Sequence, residues 1–129
     1  METSHFDLKL FCDTLCSNAQ PKSVGYCARY VRQALQAAGV VIVAYPHAAY
    51  LYAKLLKDYE LPKNEAFILG DIVVWDKTDR HKYGHIQALT EQGWVSDFKQ
   101  RSFYPNWAKK DEWTEYKVFR LPDNQIIKL

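Results

Sequence analysis

The hydrophobic period of this chain changes once, near its middle, and that change limits the folds open to it. Up to about residue 58 apolar residues recur at helical spacing; from Asp71 onward they come in short runs bounded by turn residues. In the first half, Cys27, Val31, Ala34, Leu35 and Ala38 fall on one face of a helix that begins near Tyr26. Arg29, Arg32, Gln33 and Gln36 fall on the other face, and Gly39 suits the position just past its end. A helix over about 5–18, capped by Ser4, is expected before it, with Pro21 and Gly25 breaking the two apart. A third is expected over about 47–58. Residues 40–45 are a short β-branched run, either a strand or an extended connection. In the second half, 71–75 is apolar on both faces, and 84–90, 94–99 and 116–121 also have strand character, with a short fifth strand at 125–129. Helices first and an antiparallel sheet after them is an α+β layout, with N-terminal helices packed on a small sheet. The 129 residues form one domain, 1–129, without linker or repeat.

Composition removes several classes of function. A net charge of +2 gives no basic face of the kind nucleic acid requires. The longest nearly apolar run, 37–45, is far short of the roughly 20 residues of a membrane-spanning helix. The N-terminus has no basic stretch followed by an apolar one, so synthesis in the cytoplasm without a signal peptide is expected. Cys12 and Cys16, four apart on a helix, read as small buried hydrophobes rather than a disulfide. The three Cys and four His lack paired ligand spacing, so neither a metal site nor a cofactor is expected.

Two residues carry chemistry by position. Cys27 opens its helix, where the positive end of the macrodipole favours a thiolate, and His85 opens a strand beside an apolar run. A thiol at a helix start with an imidazole on a neighbouring strand is a nucleophile with its base. Asp97 is the candidate third member, fixing the imidazole tautomer, with Gln87 and Gln100 as alternative orienters. A hairpin pairing Thr90 with Trp94 across Glu91-Gln92-Gly93 would set Gln87 opposite Asp97 and bring His85 and Asp97 together as diagonal neighbours. Tyr26 and Tyr83, and Gln87 again, are candidates for the oxyanion site and substrate groove. The tail 101–129, rich in Trp and Tyr, would complete the sheet and wall that groove. Each residue also has a structural reading: a buried helix cysteine, a strand-edge histidine, a solvent-facing aspartate.

The order Gly25-Tyr-Cys27-Ala-Arg-Tyr-Val, then Gly70-Asp-Ile-Val-Val-Trp75, then Gly84-His85-Ile resembles the CHAP family of cysteine- and histidine-dependent amidohydrolases/peptidases. This family belongs with the NlpC-type peptidoglycan hydrolases in a papain-like group. The resemblance spans about 23–100. It implies a papain-like fold with Cys27 as nucleophile, His85 as base and Asp97 as the third polar residue. It also implies peptidoglycan as substrate, cut by acyl transfer through a thioester. A bare catalytic domain resembles an interbacterial amidase effector or a phage lysin, acting in the periplasm or cell wall after export or lysis. An immunity protein or a delivery machine would be its partner. The alternatives are an amidase or deamidase acting on a protein or small-molecule amide, and a non-catalytic module that holds a glycan or partner in an aromatic cleft.

Overall fold

A computed structural model describes residues 4–129. Helix α1 (Leu8–Asn18) and helix α2 (Cys27–Ala37) are followed by a 3-10 turn (Ala49–Leu51), the single-turn α3 (Tyr52–Leu55) and a second 3-10 turn (Lys57–Tyr59). The sheet is built from β1 (Ile72–Trp75), β2 (His85–Thr90), β3 (Gly93–Val95) and β4 (Tyr116–Phe119), in the order β3-β2-β1-β4 with every pair antiparallel. The fold class is the expected α+β.

The sheet is covered on both sides, by different chemistry. Ile72, Val74, Ile86 and Ala88 turn toward the helices and meet Phe11, Leu15, Val31, Ala34 and Leu35, all buried. The residues between them point the other way, as the period of a strand demands. Val73 and Trp75 face a second, smaller layer with Trp113, Phe103 and Tyr104. The register Val73↔Gln87 and Trp75↔His85 puts Gln87 and His85 on this aromatic side as well.

The structure corrects several boundaries. α1 starts at Leu8, and its cap is Asp7, whose Oδ1 accepts from the N–H of Leu10 at 2.9 Å, not Ser4. The residues before it are extended because Phe6 is buried against Phe11 and its backbone bonds to Asn124 and Gln125. The expected helix over 47–58 is broken into 3-10 and α turns. The N–H of Tyr50 bonds to the carbonyl of Tyr83 at 3.0 Å, which ties the first turn to the segment before β2. Residues 125–129 form no fifth sheet strand: Lys128 makes an isolated parallel bridge to Val41, in the extended connection after α2.

The hairpin closes in a different register from the expected one. Gly93 pairs with Thr90, and Trp94 with Leu89, one residue away from the expected register. Thr90 holds the turn, its hydroxyl accepting from the N–H of Gln92 at 3.0 Å and donating to the carbonyl of Gly93 at 2.8 Å. A one-residue shift moves every side chain of a strand to the opposite face. β3 also ends at Val95. The chain then folds back over 96–98, bridging Val95 to Lys99, with the N–H of Gln100 bonded to the carbonyl of Trp94 at 2.9 Å.

Candidate active site

Cys27 is the first residue of α2, as its place in the sequence requires. The cap residue Tyr26 gives the helix no side-chain bond. The donors that lead into it are satisfied from elsewhere. Asp97, wholly buried, accepts through Oδ2 from the N–H groups of Val24 (2.7 Å), Gly25 (2.9 Å) and Tyr26 (3.4 Å) and from the Ser23 hydroxyl (3.2 Å). Its Oδ1 accepts from the Ser96 hydroxyl at 3.1 Å. Successive N–H groups curled round one oxygen form an anion-binding concavity. The curl needs Gly25 at φ +81°, a conformation a side chain would resist. Asp97 thus shapes the loop that presents Cys27.

His85 opens β2 behind Gly84. That glycine has φ +66°, and a Cβ there would lie 2.4 Å from the carbonyl oxygen of Trp75 and 2.9 Å from the Tyr50 side chain. The imidazole is buried, and its Nε2 lies 2.8 Å from Gln100 Oε1. The fold-back at 96–98 delivers Gln100 to the histidine and leaves Asp97 on the α2 loop. The expected His85–Asp97 juxtaposition through the hairpin is therefore replaced by His85–Gln100. Trp113 lies edge-on to the His85 ring (centroids 6.0 Å apart) and stacks on His81 at 4.0 Å; His81 Nε2 meets Glu112 Oε2 at 2.7 Å.

Cys27, His85 and Asp97 line one cleft of about 890 Å³, together with Tyr83, Tyr104 and Trp113. Tyr83 and Tyr26 are exposed, Tyr26 with the Arg29 guanidinium over its ring at 4.6 Å. Gln87 is no groove residue: it is wholly buried, bonded to Trp75, Gln100 and the carbonyl of Phe103. The cleft margin is positive. Lys22, Arg80, Lys82, Lys99 and Arg101 all line it, and the one carboxylate among its described lining residues, that of Asp97, is turned inward.

Burial governs both reactive groups. It pushes the Cys27 thiol up to about 11, opposed by backbone N–H groups of Ile86, Ala28 and Cys27 itself; the Asp97 charge pushes the same way as burial. Burial lowers the His85 imidazole to about 4, opposed by the Gln100 hydrogen bond and the charge of Asp97. At neutral pH the pair rests as thiol and neutral imidazole. The thiolate bias expected of a helix start is outweighed by desolvation.

An α+β domain with a cysteine at a helix start and a histidine at the head of a core strand, facing one cleft, has the papain-like fold. No family model matches the chain, and no curated protein matches it. Solved structures do. The type VI native effector–immunity complex Tae3–Tai3 from Ralstonia pickettii contains a chain 30% identical, superposing with a TM-score of 0.79 over 91% of this chain and 100% of that one. The selenomethionine form of the same complex gives 29% identity and a TM-score of 0.72 over 85% and 98%. The chain belongs to the family of the type VI effector Tae3.

Proposed function

We propose that this protein is an amidase effector that cleaves an amide of peptidoglycan by cysteine acyl transfer, with the Cys–His chemistry of the CHAP group. The observation that carries the reading is the meeting of Cys27 and His85 in one cleft within a Tae3-like fold. Cys27 Sγ attacks the amide carbonyl carbon while His85 takes the thiol proton, so the neutral pair ionises only as the bond forms. The first-turn N–H groups of α2, without acceptors inside the helix, are suited to the oxyanion. The imidazolium then protonates the leaving amine, giving a thioester. Water, deprotonated by His85, hydrolyses it and restores the thiol.

Gln100 takes the orienting place expected of Asp97, on the strength of its 2.8 Å contact with His85. Asp97 serves as a positioning residue for the Cys27 loop. The positive margin of the cleft suits an acidic peptide, as peptidoglycan stems are. The Tae3–Tai3 complexes supply the inference that an immunity protein is the partner and that the effector acts in the periplasm after delivery by a type VI machine. Among the described residues no helix is long and apolar enough to cross a membrane.

The test is mass spectrometry of purified peptidoglycan digested with the wild type and with Cys27→Ala, His85→Ala and Asp97→Asn. New fragments from the wild type, none from the first two variants and a reduced yield from the third are expected. Fragments that persist with Cys27→Ala would end the acyl-transfer reading.

A further inference from the structure

Four side chains on the aromatic side of the sheet form a continuous hydrogen-bonded line. Trp75 Nε1 lies 3.1 Å from Gln87 Oε1, Gln87 Oε1 lies 3.0 Å from Gln100 Nε2, and Gln100 Oε1 lies 2.8 Å from His85 Nε2. The line begins at a group with only one possible role, because an indole N–H donates and never accepts. The atom of Gln87 that meets it must be the carbonyl oxygen. The amide group of Gln87 therefore faces the carbonyl of Phe103, where it donates at 2.7 Å. Gln100 must offer that same Gln87 oxygen its NH₂, which also donates to the carbonyl of Ser102 at 3.2 Å. Its own oxygen is then left for His85 Nε2, which has to carry the hydrogen. In a neutral imidazole that leaves Nδ1 with the lone pair.

We propose that Trp75 and Gln87 act through Gln100 as positioning residues: a one-way line of hydrogen bonds that holds His85 as the Nε2–H tautomer and keeps Nδ1 free to accept a proton. Neither Trp75 nor Gln87 reaches the cleft; both are buried. Gln87 would be an odd choice for a strand core if packing alone mattered, since a buried amide is costly unless satisfied. Here each of its polar atoms is satisfied, and in only one sense. The role of Nδ1 as proton acceptor rests on the amidase reading; the tautomer does not.

The test uses the full chain with isotopically labelled histidine, read by long-range proton–nitrogen spectra near neutral pH, alongside turnover on peptidoglycan. Wild-type His85 is expected as a single Nε2–H tautomer. Gln87→Met removes the amide that fixes Gln100, and Trp75→Phe removes the indole donor. Gln87→Met is expected to show a share of Nδ1–H at His85, and Trp75→Phe a smaller one because the carbonyl of Phe103 still holds the Gln87 amide, while His5, His47 and His81 keep their wild-type signals as evidence of fold. If nine-tenths of the molecules took the wrong tautomer, kcat would fall about tenfold with KM little changed. A wild-type Nδ1–H tautomer overturns the proposal without any variant, and so does an unchanged tautomer in a folded Gln87→Met. A fixed tautomer that loosens in the variants, in a protein that cuts no peptidoglycan, upholds the line of hydrogen bonds and sinks the amidase reading instead.

Discussion

The two faces of the sheet solve the problem of burial in opposite ways. On the helix side Ile72, Val74, Ile86 and Ala88 meet aliphatic and Phe side chains, and specificity there comes from shape alone. On the other side Trp75 is ringed by Phe103, Tyr104, Trp113 and Tyr116, with centroids 5.0–5.9 Å away, and the polar line to His85 starts at its indole N–H. The first face supplies stability and the second places polar atoms where water cannot rearrange them. Alternating residues of one strand, β2, serve both: Ile86 and Ala88 the core, His85 and Gln87 the site. One strand thus couples the scaffold to the chemistry.

This division can be challenged experimentally. The largest effect is expected on the helix side, where Leu35→Ala should cost about 2–5 kcal/mol in chemical denaturation while turnover per folded molecule stays unchanged. A fall in turnover per folded molecule would show that the two faces are not separable. The next effect belongs to the aromatic side and is a matter of pH. His85 is held neutral in the folded state down to about 4, whereas an unfolded histidine protonates near its ordinary value of 6.5. Stability should therefore be level above that value and fall as the pH drops from 6.5 toward 4, by about 3 kcal/mol in all. The thiol of Cys27, pushed up to about 11 from its ordinary 9.0, sets the opposite limit: stability is lost as the pH rises through that interval. Urea midpoints for wild type and His85→Gln locate the acid limb, which should flatten in the variant. The smallest effect is expected at the rim. Lys99→Glu with Arg101→Glu should raise KM for peptidoglycan fragments about tenfold at low salt and much less once salt shortens the screening length to about 8 Å. An equal loss at all ionic strengths would point to a contact role instead.

Much of this layout is legible in the sequence, and the parts that are not share a cause. The α2 pattern from Cys27 to Ala38 reads correctly because its period is sustained over three turns. The β1 run reads correctly because it is apolar on both faces and both faces are covered. The hairpin register does not, since Glu91-Gln92-Gly93 serves a two-residue or a three-residue turn equally well; the Thr90 hydroxyl decides, through bonds that no periodicity records. The partner of His85 is lost with it. Asp97 and Gln100 are only three residues apart, and the fold-back at 96–98 that separates their destinations is a tertiary event: Gln20 donates its N–H to the carbonyl of Asp97 at 2.8 Å and forms a parallel bridge to Phe98. Ser4 lost the α1 cap for a similar reason, because Phe6 is drawn into the core and carries the residues before Asp7 with it.

The clasp of Asp97 on residues 23–26 also sets an order of assembly. The donors and their acceptor are more than 70 positions apart in the chain. Closing so long a loop carries an entropic cost that local helix formation in α1 and α2 does not bear. A growing chain can wind both helices long before residue 97 exists, yet its Cys27 loop has no anion to curl around until then. The reactive constellation is thus a property of the finished molecule. A fragment ending before the fold-back would carry the thiol and the imidazole without the clasp that sets the one or the amide that orients the other.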